Sequence, residues 1–466
     1  MEYIEKQICL FVFSRLLEYY NNNFIATDPV YDNTQPSQSF EKSVFKFIFH
    51  DSMLDLVPHS AKGIVYDFNY MSSYIVSTIT GRYWPLSGYI FINEIDYIST
   101  MKSVNFMVEP YESSQRRLFN DLLDNYIGYG LVSEYNGKYV IDMRHLKQFE
   151  VKQGYSSLNC IVYLDDDLCF DYCKINRQKR TDDFAIRECM TALITVITIE
   201  KHLFSTHFIV SDKFNMLLYD NLDKVNPIYR VILPTSNNPY SINELASVTL
   251  LRETGLNLWF NFTRNGLKEY YEYVKRKFCI REYLIPKLVS GKSQVHKHQH
   301  LWFDCIHNFV SEFLAIQNEF DCSQFLRILQ DNYKEIYDIG ISKFENVVDI
   351  CTMIIYNNII HECYSNSKII KLFMNPYTVS TTWKQNGNIE LRYKINNMGE
   401  QTMANFVAYA SSLEAIRLDD ERWINMCCVS PEEKKVYQRF RKAISTLDIP
   451  ENAILHPKNI SSSVSY

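Results

Sequence analysis

Little in this chain is built to bend. Only 13 Gly and 13 Pro occur in 466 residues, and no Ser/Gly-rich or Pro-rich linker and no internal repeat is present. Positive charge is not in surplus: 48 Lys and Arg face 54 Asp and Glu, well mixed, for a net charge of −6. That excludes the electrostatic footprint of a nucleic-acid binder. The 12 cysteines form no CxxC pattern, which argues against a thiolate metal site. Cys189, Cys305 and Cys351 sit in apolar, helix-like runs, as buried reduced thiols of a cytosolic protein do. No run reaches the roughly 18–20 apolar residues that span a bilayer. The N-terminus "MEYIEKQICLFVFSRLLEYY" opens on Glu2 and Glu5, is broken by Arg15 and lacks a small-residue cleavage site. It reads as an amphipathic helix packed on the domain rather than a signal peptide. A soluble, cytoplasmic protein is expected.

What is present is apolar and aromatic. Hydrophobic residues make up 47% and aromatics 15% of the chain, enough for a large core. The polar stretch at 21–44 reads as an irregular connection. Between 139 and 174, "YVIDM", "CIVYL" and "LCFDYCKI" are β-branched or aromatic runs, and the acidic "DDD" at 165–167 closes a hairpin. From Asp183 onward the pattern is helical. One long, almost uncharged stretch begins at 184 and a second spans 344–366, each the profile of a helix buried on all sides. Amphipathic helices are expected near 301–318, 322–336 and 431–446. The expected architecture is mainly α, built around two long central helices, with a small sheet region.

The two central helices carry histidine. "KHLFSTH" (201–207) places His202 and His207 five apart, and His361 lies on the second helix. Five is awkward for an α-helix, whose faces recur at three, four or seven. Core histidines bonded to neighbours are one reading of the pair. The other is a metal site on a π-type turn, whose i→i+5 hydrogen bond brings such residues into line. Neutral imidazoles without thiolates suit iron, zinc, copper or nickel. Spacing alone leaves both open.

The flanking residues resemble the lipoxygenase family. "STH" (205–207), "NPIYRVILPT" (226–235) and "YSINELASVTLL" (240–251) follow one another as that family's "TH", "HP-[IVL]-[YF]-[KR]-LL-PH" and "T-x-x-I-N-x-LAR-x-x-LI" do. "TMIIYNNIIHECYSN" (352–366) looks like its second central helix, and "NISSSVSY" (459–466) like its terminus. The resemblance spans roughly residues 125–466. It implies a lipoxygenase-like catalytic domain at 121–466, a divergent helical or irregular region at 1–120, and no N-terminal β-barrel. It also implies one iron, held by His202, His207, His361 and the terminal carboxylate of Tyr466, with Ser365 at the family's weak fifth-ligand position. Ala246, Leu250 and Leu203 would line the substrate pocket. The activity implied is dioxygenation. Hydrogen is taken from a methylene between two double bonds, the base being the iron's own hydroxide rather than a side chain, and O2 adds to give a hydroperoxide. The partners are then an apolar polyunsaturated acyl chain and O2, with no nucleic acid and no transmembrane segment; transient membrane contact and the oligomeric state stay open.

The chain departs from the family pattern in places. Thr198 and Lys368 stand where the family has polar partners of the ligands, and such partners tune a metal. Ser247 replaces the Arg of "LAR", "MNPYT" (374–378) lacks the Arg of the plant "NRPT", and Asn226 and Thr235 replace two histidines. These departures keep open two alternatives: an oxygenase of this fold acting on a specialised small molecule, and a non-catalytic metal-binding relative. Two local features remain. His296, His298 and His300 alternate in "QVHKHQH", where a solvated loop is expected, and Cys427–Cys428 are expected to be two reduced thiols.

Overall fold

The computed structural model describes residues 115–126, 131–211, 221–236, 260–278, 294–317, 323–332, 344–361, 382–391 and 424–460, a few positions aside. The N-terminal amphipathic helix, the connection at 21–44 and most of the region at 1–120 lie outside these residues.

The chain enters through α1 (Gln115–Tyr126) and then forms an antiparallel meander of five strands in sequence order. These are β1 (Ser133–Tyr135), β2 (Lys138–Asp142), β3 (Cys160–Leu164), β4 (Phe170–Ile175) and β5 (Gln178–Arg180). The β1–β2 turn is Asn136-Gly137, both at positive φ (51° and 69°), the pairing that a type I′ hairpin demands. The expected acidic turn closes β3 onto β4: Asp165 Oδ1 accepts from the amides of Asp167 and Cys169. β3 is buried along its whole length. Cys160, Val162 and Leu164 join the main core, while Ile161 and Tyr163 form a second cluster with Val140 and Tyr172 on the other face. There the Tyr163 and Tyr172 rings stack at 4.4 Å, with Lys179 lying 4.1 Å from the centre of Tyr172.

The inner face of the sheet packs on α2 (Asp183–Thr195), capped by Asp182, whose side chain accepts from the Ala185 amide. Without a break, α2 becomes a π-helix, Val196–Ser211. The stretch Ala185–Ser211 is long and apolar enough to cross a membrane, yet it is mostly buried inside the protein as its core helix. The second central helix, α7 (Phe344–Tyr356), likewise ends in a π turn, Asn357–His361, and the two π segments pack together.

Around them lie α3 (Pro227–Ile232), α4 (Arg264–Lys277), α5 (Gln294–Ala315), α6 (Ser323–Asn332) and α8 (Pro431–Ser445), with a two-stranded hairpin of β6 (Thr382–Gln385) and β7 (Asn388–Leu391). The helices expected near 301, 322 and 431 are thus present. The loop expected at 294–300 is not. These residues are the first turns of α5, where His298 is buried and His300 exposed, so these two point to different sides.

Two buried polar contacts tie the helices together. The Arg230 guanidinium on α3 donates Nη1 to both Glu433 oxygens on α8 (2.6 and 2.7 Å), and Gln317 Nε2 donates to Glu433 Oε1 at 3.0 Å. Trp302 Nε1 on α5 donates to the Leu455 carbonyl at 2.8 Å. The described cysteines are all free, Cys427 and Cys428 included. Burial pushes the Cys305 and Cys428 thiols up to about 12 and those of Cys189, Cys351 and Cys427 well above their ordinary value.

Candidate metal centre

The turn that holds the histidine pair is all but uncharged. Leu203, Phe204, Phe208 and Ile209 bury its apolar sides, and packing rather than intrinsic propensity holds it. The π register expected at 202–207 is present but extends over 16 residues. It brings the two rings together: His202 Nε2 and His207 Nε2 lie 3.0 Å apart, the ring centres 4.7 Å apart and the planes tilted by 54°. Two neutral imidazoles meet this way when one donates its N–H to the other, or when both turn lone pairs on one cation. Two nitrogens each about 2.1 Å from a divalent metal and at right angles lie about 3.0 Å apart. By that measure the pair fits two adjacent positions of a metal.

His361 is buried at the end of the second π turn, its ring edge-on to Tyr356 at 5.5 Å. Burial, and secondarily the charge of Lys201, holds its imidazole down at about 3, so the ring is neutral at neutral pH. It stands on the helix that packs against the pair, yet among the described residues no three His, Cys, Asp or Glu side chains converge on one point. One turn earlier, Asn358 Nδ2 donates to Ser236 Oγ at 2.9 Å and Asn357 Nδ2 to Asn358 Oδ1 at 3.2 Å. These bonds couple the second π turn to the end of the "NPIYRVILPT" segment. Leu203 is a core residue of the first π segment, and Thr198 is buried with no hydrogen-bond partner for its hydroxyl among the described residues. Ser365, Ala246, Leu250 and Tyr466 lie outside the described residues.

One group beside the pair went unread in the sequence. Glu200, two residues before His202, accepts at Oε2 from the Tyr270 hydroxyl of α4 (2.9 Å) and lies 3.0 Å from His145 Nε2, with Lys201 Nζ 3.2 Å from Oε1. His145 in turn stacks on Tyr273. Burial alone would raise the Glu200 carboxyl. Lys201, His145 and Tyr270 outweigh it and bring the group down to about 2, so it is a carboxylate at neutral pH. An acid inside an apolar helical run was the available signal, since such a charge needs partners. Lys201 is next in the chain, while His145 and Tyr270 lie 55 and 70 residues away.

No protein-family model matches the chain, and no curated protein matches its sequence. Solved structures do. A LOX carrying the Delta413-417:GS change, crystallised anaerobically in complex with arachidonate, superposes with a TM-score of 0.68 at 14% identity, covering 92% of this chain and 82% of that one. The fold is lipoxygenase-like. A calcium-dependent 11R-lipoxygenase gives 0.66 at 12% identity, covering 92% of this chain and 80% of that one. Coral 8R-lipoxygenase gives 0.63 at 12%, covering 94% and 83%. In this chain the two central helices carry His202, His207 and His361.

Proposed function

We propose that the protein is a non-haem iron dioxygenase that oxidises an apolar substrate with a methylene between two double bonds, giving a hydroperoxide. The observation that carries this reading is the approach of His202 Nε2 to His207 Nε2 at 3.0 Å on a buried π-helix. The lipoxygenase-like fold, with one neighbour bound to arachidonate, supports a polyunsaturated fatty acid as the substrate class. His202, His207 and His361 would hold the iron together with the Tyr466 carboxylate, and Ser365 more weakly. Bound there, iron would supply the redox chemistry that hydrogen abstraction needs. The chain's own part is to present neutral nitrogens and to exclude water, which Leu203, Phe204, Phe208, Ile359 and Ile360 do as buried apolar neighbours of the histidines in sequence.

The test is iron content of the purified full chain and oxygen uptake with arachidonate or linoleate. About one iron per chain, with conjugated-diene absorbance growing during uptake, is expected, and both are lost in His207→Ala. Protein with no iron affinity refutes the reading. A second reading, a metal-binding relative without fatty-acid oxygenation, draws on Thr198, whose buried hydroxyl has no hydrogen-bond partner among the described residues where the resemblance puts a tuning side chain. Iron without oxygen uptake selects it.

A further inference from the structure

We infer that Ser205 and Thr206 are positioning residues, whose hydroxyls hold the helical register that brings His202 against His207. The inference concerns the same histidines as the iron reading but stands on the geometry of the pair.

Among the described residues of this one helix, the hydroxyls at 191, 195, 205 and 206 bond backwards to carbonyls, and these divide by register. In the α segment, Thr191 Oγ1 donates to the Arg187 carbonyl (3.0 Å) and Thr195 Oγ1 to that of Thr191 (2.8 Å), each four residues back. Between the histidines, Ser205 Oγ donates to the Glu200 carbonyl (2.6 Å) and Thr206 Oγ1 to that of Lys201 (2.9 Å), each five back. Both of the latter hydroxyls are buried, at 2% and 0% exposure, where a hydroxyl is held to an acceptor. Their acceptors are the two consecutive carbonyls that open the histidine turn. The first of these belongs to Glu200, whose carboxylate is itself fixed to Tyr270 and His145. The turn is thus tied down at its mouth and clamped across its width. If the segment relaxed to α spacing, residues five apart would diverge by about 140° around the axis, and the 3.0 Å approach of the rings would be lost.

The test uses Cu2+ as the probe on metal-stripped, full-length protein. Electron paramagnetic resonance counts bound imidazoles from nitrogen hyperfine lines, and the signal absent in His207→Ala defines the pair. Wild type should show two nitrogens. Ser205→Ala/Thr206→Val should fall to one, with Cu2+ affinity at this site weakened on the order of tenfold, the scale expected for two lost buried hydrogen bonds. Ser205→Thr/Thr206→Ser should restore both nitrogens. Thr191→Val/Thr195→Val, which removes the same kind of bond from the α segment, should keep them. The inference is overturned if Ser205→Ala/Thr206→Val retains the two-nitrogen signal at full affinity, or if the Thr191/Thr195 variant loses it equally. The milder Ser205→Ala alone guards against a double variant that does not fold. Wild-type protein that shows the two-nitrogen signal but neither holds iron nor takes up oxygen refutes the iron reading and supports this one.

Discussion

Removing Arg230 should cost more than any surface charge change, and the structure says how much. Arg230 and Glu433 are 8% and 2% exposed as side chains. In Arg230→Met the Glu433 carboxylate keeps the Val429 amide (2.6 Å), the Ser430 amide (3.2 Å) and Gln317, but no counter-charge. A buried pair broken on one side costs about 3–5 kcal/mol. With an unfolding entropy of roughly 2.1 cal/mol/K per residue, 466 residues melting as one unit convert that to a Tm lower by about 3–5 °C. Arg230→Met/Glu433→Leu should recover most of the loss, because an apolar pair replaces a buried ion pair at little cost. Acid adds a second check. Burial pushes the Glu433 carboxyl up, but Arg230, the Val429 amide and Gln317 pull it below its ordinary value. The pair's contribution is therefore complete above the usual carboxylate range and fades as pH falls through the lowered value, so wild type and Arg230→Met should converge in acid. Calorimetry across pH tests both. A single variant within about 1 kcal/mol of wild type, or a double variant as unstable as the sum of the singles, refutes the account.

Glu200→Gln should flatten the acid limb of stability. The carboxyl falls from 4.5 to about 2, so its contribution, about 3 kcal/mol at 1.36 kcal/mol per pH unit, is present above pH 4.5 and is lost as pH falls toward 2; a variant with the wild-type acid profile contradicts this. Gly266→Ala should destabilise α4 by about 1–3 kcal/mol or prevent folding, because a Cβ there would sit 2.0 Å from the Glu150 carbonyl oxygen; unchanged solubility and Tm would count against it. Trp302→Phe removes the donor to the Leu455 carbonyl and should cost about 1–3 kcal/mol, with faster proteolysis after residue 446 as the local readout.

Much of this fold was legible because apolar patterning and turn chemistry agree: the hairpin at Asp165 and the buried runs from 184 and 344 all stand where the residues put them. The π register at the histidine pair was legible from an arithmetic misfit, five where α-helices use four, while spacing alone left the pair's role open. The length of the π segment was not, because a run apolar on every side keeps no polar face to mark its period. The π turn at Asn357–His361 escaped for the same reason. His298 was misread because the polar residues "GKSQVHKHQH" look like a loop, while Trp302, Ile306 and Val310 fix the helix only further on. The Glu200 cluster needed contacts across 55 and 70 residues, which no local pattern encodes. His361 was placed on its helix correctly, but sequence gives no distance between helices.

The burial of the thiols has a chemical consequence. Oxidants attack thiolates, and Cys189, Cys351 and Cys427 are held protonated far above neutrality. A protein proposed to release a hydroperoxide would then carry these three thiols inside a shield of its own packing. Each of these cysteines becomes oxidisable only when the packing around it opens, so the rate of its modification by peroxide measures how often the core breathes.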